Sequence, residues 1–533
     1  MSHQSRARLL PSPFVMLLLL ALGAAVIWLQ ATDGLGDRGM NNPFSYIAVM
    51  LAAVIYGLWF LLFSGQSGRC KLLSLVAVAG VMGLVFLLVR MDGYTGSMVP
   101  QWHWAWESRA DAELAGDSVL ADATSQIDLL AANPANFPGF QGPRRNGEVL
   151  GVRLTGWEAN PPELLWKQPV GFGWSGFAVV NGVAVTHEQR NGQQLVIARD
   201  LATGTTLWRH ATEEEITHPM GGKGPRSTPL IHGGLVYAQD SGGRLLCLDG
   251  ATGALVWEHD LPAEFGMTDE LEQTLIQYGR SASPLAVDDL LVMPAGGDPE
   301  GRRAGLVAFD LKSGTVRWEG PPRNISHASP VLATVAGQRQ ILVMNEDSVS
   351  GHLPDSGALL WEHPWPGSTA ADANNSSPLP VGDDGVLISK GYGKGSKLLR
   401  ISAAVDGVQQ ATVQWASRRS LRTKLTNAVV RGEHAYALSD GILECTSLAN
   451  GKRVWRDGRY GHGQLLLVGE KLLILSEEGQ LVLVAASPDQ EHLVLGTLDA
   501  LEGVTWNTFA LYGDVVVLRN GTNAGAWRLP TAG

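Results

Sequence analysis

The feature that most constrains this chain is a short pattern that recurs between residues 200 and 455. In each full copy an Asp is followed, after three residues, by a Gly, and after three more by a Trp, with Thr or Ser directly before the Gly. Such an Asp and Thr/Ser-Gly pair forms a tight turn in which the glycine accepts a positive φ, and the Trp then opens the next strand and packs on the neighbouring unit. Full copies are Asp200, Gly204 and Trp208; Asp249, Gly253 and Trp257; Asp310, Gly314 and Trp318; degraded copies keep Gly357 with Trp361, Gly451 with Trp455, and Asp406 with Trp415.

A second recurring element precedes each copy, namely a small polar residue, often followed by Pro, that leads into an apolar strand. The eight strand starts lie 36 to 55 residues apart, at Ser175, Thr228, Ser283, Ser329, Ser377, Asn427, Gly463 and Thr508. Units of this length with several short strands are typical of propeller blades, and turn dipeptides such as Asn181-Gly182 favour β units over helical repeats. The sequence therefore predicts an all-β fold, an eight-bladed β-propeller of four-stranded blades.

The two ends of the repeat region are predicted to meet. After Trp506 the last unit has only three strands, whereas a Trp-bearing strand, Leu164–Lys167, stands alone at the other end. Pairing that strand into the last blade would remove both free sheet edges.

Three uncharged apolar runs precede the repeats, at residues 14–31, 46–63 and 72–89. Each is long enough to cross a bilayer as a helix. A cleaved signal peptide is the alternative for the first run, but residues 28–31 make a poor small-residue cleavage site. We therefore expect a three-helix transmembrane anchor at 1–90, a juxtamembrane linker at 91–135 and the propeller at 136–533.

Flanking charge predicts the orientation of the anchor through the positive-inside rule. Arg6 and Arg8 precede the first run, and Arg69 with Lys71 separates the second from the third, whereas the loop after the first run holds two acids, Asp33 and Asp37, against Arg38. The N-terminus is thus expected in the cytoplasm and the propeller outside the cytoplasmic (inner) membrane, which is the periplasm in a Gram-negative cell.

The segment after the third run contains Trp102, Trp104 and Trp106, alternating with other residues. Two interpretations are open: an aromatic anchor at the membrane interface, or a strand end packed on the soluble domain. The following stretch, 107–133, is polar and alanine-rich and is predicted to be a linker.

Charge excludes one class of partner. The chain carries a formal net charge of −11 with 17 % charged residues, and residues 1–90 are net basic, so that the acidity resides in the repeat region. A nucleic-acid-binding domain needs a basic surface, so no nucleic-acid partner is expected.

The repeats at 198–208, 247–257 and 308–318 resemble those of pyrroloquinoline-quinone (PQQ)-type β-propellers. This superfamily includes the quinoprotein alcohol dehydrogenases and the propeller lipoprotein of the bacterial β-barrel assembly machine. The opening residues 136–143, Asn-Phe-Pro-Gly-Phe-Gln-Gly-Pro, resemble a Phe-Arg-Gly-Pro motif of many bacterial members. The resemblance covers roughly residues 133–533.

The resemblance implies two functions, of which quinone chemistry is the less supported. Quinoprotein dehydrogenases carry two adjacent cysteines over the cofactor and a calcium held by Glu, Asn and Asp, whereas Cys247 and Cys445 lie in different repeats and no such cluster is found by motif. No HExxH zinc motif or GxSxG nucleophile elbow is present either, and the glycine-rich residues 391–397 are neither a Walker nor a Rossmann loop. No metal or catalytic residue is therefore predicted.

Candidate ligand-binding residues come from the positions just before or within the innermost strands, which rim the channel of a propeller. They are Trp174, Arg226, Arg280, His327, Asn375, Lys424, Asn427, His462 and Asn507. Mostly basic or amide side chains would suit an anionic or carbonyl-bearing ligand, with Arg226 and Arg280 as bidentate donors; the alternative is that they cap loops.

The expected function is a membrane-anchored binding or scaffolding module of the bacterial cell envelope with an envelope protein as partner. The alternative is a membrane-bound PQQ-dependent dehydrogenase of alcohols or sugars, with PQQ and calcium as cofactors.

Overall fold

The structure is a computed structural model that describes residues 10–32, 37–107 and 127–532. Its contacts divide the chain into two compact units, Met1–Ser108 and Arg109–Gly533. Three of the charges used to predict orientation, Arg6, Arg8 and Asp33, lie outside the described residues, and so does the part of the predicted linker from 108 to 126.

The first unit contains three helices, α1 (Pro13–Ala31), α2 (Arg38–Phe63) and α3 (Gly68–Leu88). All three are long and apolar enough to cross a membrane, and almost none of their side chains are buried within the protein. The second and third helices begin before the apolar runs because Asp37 and Ser67 cap their first turns, accepting hydrogen bonds from the backbone N–H groups of Gly39 and Cys70. Apolar content alone does not show such caps.

A β-hairpin follows α3 without a break, in the segment that the sequence predicts to be a linker. Strands β1 (Val89–Tyr94) and β2 (Pro100–Trp104) pair antiparallel, with Val89 opposite Trp104. Helix α3 therefore ends one residue before the third apolar run does, because Val89 belongs to the hairpin.

In the second unit, two separate strands, β3 (Glu148–Val149) and β4 (Glu163–Pro169), precede the eight blades. Blade 1 contains β5 (Ala178–Val180), β6 (Val183–Arg190), β7 (Gln193–Asp200) and β8 (Thr206–Thr212), and is followed by a small hairpin, β9 (Thr217–His218) and β10 (Gly222–Lys223). Blade 2 contains β11 (Leu230–His232), β12 (Leu235–Gln239), β13 (Arg244–Asp249) and β14 (Leu255–Asp260), and is followed by α4 (Leu261–Glu264) and α5 (Asp269–Leu275). Blade 3 contains β15 (Leu285–Val287), β16 (Leu290–Met293), the hairpin β17 (Gly296–Gly297) and β18 (Arg303–Ala304), then β19 (Val307–Asp310) and β20 (Val316–Glu319).

Blades 4 to 8 follow the same plan. Blade 4 contains β21 (Val331–Val335), β22 (Gln338–Met344), β23 (Ser348–His352) and β24 (Leu359–Pro364), and blade 5 contains β25 (Leu379–Val381), β26 (Gly385–Lys390), β27 (Gly395–Ile401) and β28 (Ala411–Ser417). Blade 6 contains β29 (Val429–Arg431), β30 (His434–Ser439), β31 (Ile442–Ser447) and β32 (Arg453–Arg459), and blade 7 contains β33 (Gln464–Val468), β34 (Lys471–Leu475), β35 (Gln480–Ala485) and β36 (Val494–Asp499). Blade 8 contains β37 (Ala510–Tyr512), β38 (Val515–Arg519) and β39 (Asn523–Arg528).

The ring closes as the sequence predicts. Strand β4 pairs antiparallel with β39, the last strand of the chain, and is the fourth strand of blade 8. The eight-bladed propeller of four-stranded blades is confirmed. Each blade is an antiparallel sheet whose first strand lines the channel and whose fourth strand is outermost.

Neighbouring blades are joined through the repeated tryptophans and glycines. Trp208 of blade 1 donates its indole N–H to the carbonyl oxygen of Gly250 in blade 2, at 2.9 Å. Its ring lies directly over Gly253, where an added Cβ would be 2.5 Å from a ring carbon, and Gly253 has φ +73°. The glycine is therefore needed twice, for the turn and for the ring. The same pairing joins Trp166 to Gly204, Trp257 to Gly314, Trp318 to Gly357 and Trp415 to Gly451.

Three blades depart from this plan. Trp455 in blade 6 donates its indole N–H to Ser487 O of blade 7 at 3.0 Å, with no facing glycine among the described residues. Trp361 in blade 4 donates to Gln340 Oε1 in its own sheet, at 2.6 Å. The outer strand of blade 7 has no Trp, and Trp157, from the segment before β4, lies against Gly496 instead. The degraded repeats thus mark the places where the packing partner changes.

Candidate functional site at the channel mouth

The small polar residues that start the innermost strands form a chain of hydrogen bonds around the channel. From blade 1 to blade 6, each strand start bonds that of the next blade, which ties six inner strands together at one level. The bonds run from Gly176 N to Thr228 Oγ1 (3.1 Å), Thr228 N to Ser283 Oγ (2.9 Å), Ser283 N to Ser329 Oγ (2.9 Å), Ser377 Oγ to Ser329 O (2.8 Å) and Ser377 N to Asn427 Oδ1 (2.8 Å). A Ser, Thr or Asn recurs at this position because only a short polar side chain reaches the neighbouring backbone.

Residues 137–149, which we name the plug, cross the channel. Phe137 pairs with Val179 of blade 1, and the plug continues to β3, which pairs parallel with β33 of blade 7. Between them the buried Arg145 donates to the carbonyl oxygens of Ser283, at 2.9 Å, and Pro284 in blade 3. Blades 3 and 7 stand opposite each other in a ring of eight, so the plug spans the channel.

Arg145 is an unusual plug residue. It has φ +53°, and burial lowers the pKa of its guanidinium to about 9. Its two bonds to inner-strand carbonyls offset part of the cost of burying the charge. The opening motif at 136–143 therefore starts the segment that fills the channel.

Before the strand starts, a belt of aromatic and polar side chains surrounds the channel; we name this belt the mouth. Trp174 and Trp506, from the segments that enter blades 1 and 8, lie with ring centroids 4.7 Å apart. The indole N–H of Trp174 donates to Gly221 O at 2.8 Å, and that of Trp506 donates to Glu477 Oε1 at 2.7 Å. Both rings are half-buried.

Arg226 occupies the next part of the mouth. Its Nε donates to Tyr278 O at 2.8 Å and one terminal nitrogen donates to Gly221 O at 2.7 Å. Among the residues that the structure describes, no carboxylate lies within ion-pair distance of Arg226. Burial lowers the pKa of its guanidinium to about 10, which still leaves it charged at neutral pH.

Two histidines next to Arg226 are held neutral. Burial, with a smaller effect of the Arg226 charge, lowers the pKa of His327 to about 4 and also lowers the pKa of His218. Tyr278 lies between them, with ring centroids 4.4 Å from His218 and 6.0 Å from His327. His327 Nδ1 is 2.8 Å from Ser281 Oγ. This part of the mouth is thus aromatic, with one cation.

Arg280 does not play the part expected of it. Its guanidinium forms an ion pair with Glu272 of α5, at 2.5 Å, and donates to Ala295 O at 2.6 Å, and the side chain is 2 % exposed. The equivalence with Arg226 in sequence is therefore lost in the structure, because α5 supplies a carboxylate only in blade 2. Arg280 has no free donor edge to offer a ligand.

The remaining candidates divide into two groups. Asn375, Lys424 and Asn427 lie along the blade 5 and 6 side of the mouth: Asn375 Nδ2 donates to Lys424 O at 2.8 Å, and the Lys424 ammonium lies 5.0 Å from the ring centroid of Tyr392. Asn427 belongs to the strand-start ring.

His462 and Asn507 are fully buried and have structural contacts. The backbone N–H of His462 donates to Glu477 Oε2 at 3.0 Å, and Asn507 Nδ2 donates to the carbonyl oxygens of Gly173 and Ser175, at 3.0 and 2.8 Å. Asn507 thereby joins blade 8 to blade 1. Burial removes both side chains from contact with a ligand at the mouth.

Sequence reasoning missed four mouth residues: Tyr278, Tyr392, Glu477 and Trp506. Two of them were within reach, because Trp506 directly precedes Asn507 and Tyr278 lies two residues before Arg280. Tyr392 and Glu477 come from loops between the second and third strands of blades 5 and 7, which carry no repeat signal.

The mouth does not fit a calcium-bound quinone. Within the described parts of the chain, no group of three or more His, Cys, Asp or Glu side chains is placed to hold a metal ion. Calcium in proteins takes six to eight oxygen ligands, with carboxylates prominent among them. Cys247 and Cys445 are buried, unpaired thiols on the third strands of blades 2 and 6.

The fold and the repeat define this protein as a PQQ-type β-propeller that follows three apolar helices in the chain. A family model described as outer membrane protein assembly factor BamB matches residues 150–289 and 192–457, more than half of the chain. The chain belongs to this family.

One relative with a described activity matches over a short stretch. The dehydrogenase subunit of a quinone alcohol dehydrogenase of Komagataeibacter europaeus is 29 % identical over 126 residues, 23 % of this chain. The match spans 16 % of that relative's length, so it covers only a small part of that enzyme.

Solved structures show the same fold at low identity. The quinohemoprotein alcohol dehydrogenase of Comamonas testosteroni is 13 % identical, with 80 % of this chain and 86 % of that chain covered and a TM-score of 0.52. The quinohemoprotein alcohol dehydrogenase ADHIIG of Pseudomonas putida HK5 is 13 % identical, with 78 % and 84 % covered and a TM-score of 0.52. This likeness extends to the fold alone.

Proposed function

We propose that this protein is a membrane-anchored binding module of the bacterial envelope whose propeller, outside the cytoplasm, binds an acidic group of a partner protein at the mouth. The observation that carries the proposal is Arg226, a charged, half-buried side chain with only backbone acceptors, set among aromatic rings at the mouth. A cation held in this way attracts a carboxylate more strongly than a solvated one.

Family membership supports binding over catalysis. The family is described as an assembly factor, which is a role in assembly and not in chemistry. His327 Nδ1 lies 2.8 Å from Ser281 Oγ, but burial lowers the pKa of His327 to about 4, which makes it a weak base for that hydroxyl. A rigid ring with a closed channel is suited to present a surface to a partner.

The proposed orientation rests on Arg69 and Lys71, which lie in the first turn of α3, at the end of this helix opposite to the hairpin. Because Asn42, near the start of α2, donates to Ser97 O of the hairpin at 2.7 Å, the end of α3 and the start of α2 share one side. With the basic pair in the cytoplasm, the chain after α3 leaves on the outside. An alkaline phosphatase fusion after residue 533 should be active and a cytoplasmic fluorescent reporter dark; the reverse pattern would contradict this orientation.

Binding of a carboxylate can be tested with the full-length protein in nanodiscs. We expect succinate to raise the melting temperature more than sodium chloride of equal ionic strength does. The Arg226→Gln variant should lose this increment. Arg317→Gln is the matched control, because Arg317 is exposed and pairs with Asp289 and Asp310 in a repeat turn; it should keep the increment. An increment that survives in Arg226→Gln would refute the site.

The second candidate is a PQQ-dependent dehydrogenase, favoured by the match to the quinone alcohol dehydrogenase subunit. It predicts that the purified protein, incubated with PQQ and calcium, gains a bound-quinone absorbance and reduces dyes with alcohols or sugars. The absence of both with a reference quinoprotein active in parallel would leave the binding module as the sole candidate.

A further inference from the structure

We infer that the β1–β2 hairpin is a membrane-interface element, with one face inserted among the lipid headgroups and the other in water. This inference concerns the first unit and does not depend on what the mouth binds.

The strand register gives the hairpin one apolar face. Val89 pairs with Trp104 and Met91 with Trp102, and directly paired residues project to the same side of a sheet. Met91, Trp102 and Trp104 are 45 %, 59 % and 49 % exposed. Trp106 stacks on Trp104 with centroids 5.0 Å apart and is 66 % exposed. So many large apolar side chains on one face require a covering partner.

The other face is polar and bonded within the hairpin. Arg90, which pairs with His103, forms an ion pair with Asp92 at 2.9 Å and donates to Glu107 O at 2.9 Å. His103 Nδ1 is 3.0 Å from a carboxylate oxygen of Glu107. The hairpin is therefore amphipathic across its thickness.

Position selects the bilayer as the partner for the apolar face. Strand β1 begins at the residue after α3 ends, and Ala105 N donates to Leu88 O at 2.9 Å, which holds the return strand at the end of the helix. Ser97, in the turn, accepts a hydrogen bond from Asn42 at the start of α2. The hairpin thus lies where two candidate membrane spans reach the same side.

Tryptophan is the residue that this depth favours, because its ring is apolar and its indole N–H bonds headgroups and water. Trp28, near the end of α1, is 52 % exposed and adds to the aromatic residues on this side. The hairpin would fix the end of α3 at the membrane surface, so that the chain towards the propeller leaves from a defined depth.

The test measures the depth of the two faces in the full-length protein. In a Cys70→Ser background in nanodiscs, nitroxides are attached to Met91→Cys and His103→Cys, and to Val316→Cys on the outer strand of blade 3 as a water-exposed control. We expect the Met91→Cys label to show a several-fold higher ratio of oxygen to nickel-complex accessibility than the other two. Equal nickel accessibility at all three sites would place the hairpin in water, and protection of the Met91→Cys label from both reagents would place it against protein; either result overturns the inference.

A second measurement keeps the native hairpin. Lipids brominated near the top of the acyl chain should quench part of the tryptophan fluorescence of the wild-type protein. The Trp102→Phe/Trp104→Phe variant, which keeps an aromatic ring at both positions and the strand pairing, should lose a measurable part of that quenching. An unchanged quenched intensity would contradict insertion of these two side chains.

Discussion

The outer turns of the blades and the mouth of the channel contain residues from the same repeat units, but the turns use the same residues in successive blades and the mouth does not. In the outer turns the same three residues recur, and Trp208, Trp257 and Trp318 each lie on the next blade's glycine. At the mouth, successive blades supply different side chains at one sequence position, and Arg226 and Arg280 have different partners. The repeated residues therefore specify the fold, whereas residues that differ from blade to blade line the candidate site.

Carboxylates show the same contrast. In the outer turn Asp310 accepts hydrogen bonds from the backbone N–H and hydroxyl of Ser313, which lower the pKa of its carboxyl. On the mouth side, burial, together with their mutual repulsion in the case of Glu214, raises the pKa of Glu214 to about 7 and that of Asp240 to about 6. Hydrogen bonds in the turn favour the ionised carboxylate of Asp310, whereas burial favours the protonated form of Glu214 and Asp240.

The largest effect that would sharpen the comparison is expected from Trp208→Ala. Removing the ring leaves a cavity against Gly253 and an unpaired Gly250 carbonyl, and large-to-small changes of this kind cost about 3–5 kcal/mol. Denaturant unfolding of the full-length protein measures it, with the exposed Trp106→Ala as control. A variant with an unchanged melting temperature that had lost a ligand would show Trp208 to be a site residue.

A smaller effect is expected from Gly253→Ala, with Gly182→Ala as its matched control. Both glycines have similar positive φ, +73° and +79°, but a Cβ would clash with Trp208 at the first and meet nothing within 4 Å at the second. The backbone cost is common to both, so Gly253→Ala should be less stable by about 1–3 kcal/mol for overpacking. Equal melting temperatures would mean that the turn alone requires glycine.

The strand-start ring gives the next prediction. Thr228→Val removes the hydroxyl that accepts from Gly176 N and leaves that buried N–H unpaired, at a cost of about 1–3 kcal/mol. Thr228→Ser keeps the hydroxyl and should lie much closer to the wild type in denaturant unfolding. If Val and Ser behave alike, the ring contributes packing and not hydrogen bonds.

The smallest effect concerns pH. Because the folded-state pKa of Glu214 is raised to about 7 from 4.5, the folded protein holds a proton that the unfolded chain has lost, and stability falls as pH rises through this interval. Glu214→Gln should therefore raise the melting temperature at pH 8 and leave it nearly unchanged at pH 4. A gain of equal size at both pH values would assign the effect to packing.

Most of the fold could be predicted from the sequence, because the turn requires Asp, Gly and Trp at a fixed spacing, and these residues recur in each full copy. The closing strand at Leu164–Lys167 was predictable for the same reason: it contains the repeat Trp but precedes the first complete repeat. The hairpin after α3 was not, because its pairing depends on α3 ending at Leu88 and not on a repeat.

The mouth could be predicted only in part. Its sequence position follows from the strand starts, which is how Trp174, Arg226, His327 and Lys424 were found. Whether a side chain is available depends on elements outside the repeat: α5 brings Glu272 to Arg280, and Tyr392 reaches Lys424 from a loop between strands. Such insertions differ from blade to blade and follow no period.

The measurement that tests the central claim most directly is photo-crosslinking in intact cells. A photoreactive phenylalanine in place of Tyr278 or Trp506 samples the mouth, and one in place of the exposed Val316 samples the outer strand of blade 3. We predict that both mouth positions give an adduct with one and the same envelope protein, lost in Arg226→Gln, and that Val316 gives none. An adduct from Val316 with none from either mouth position would place binding at the outer edge of the propeller and contradict the account.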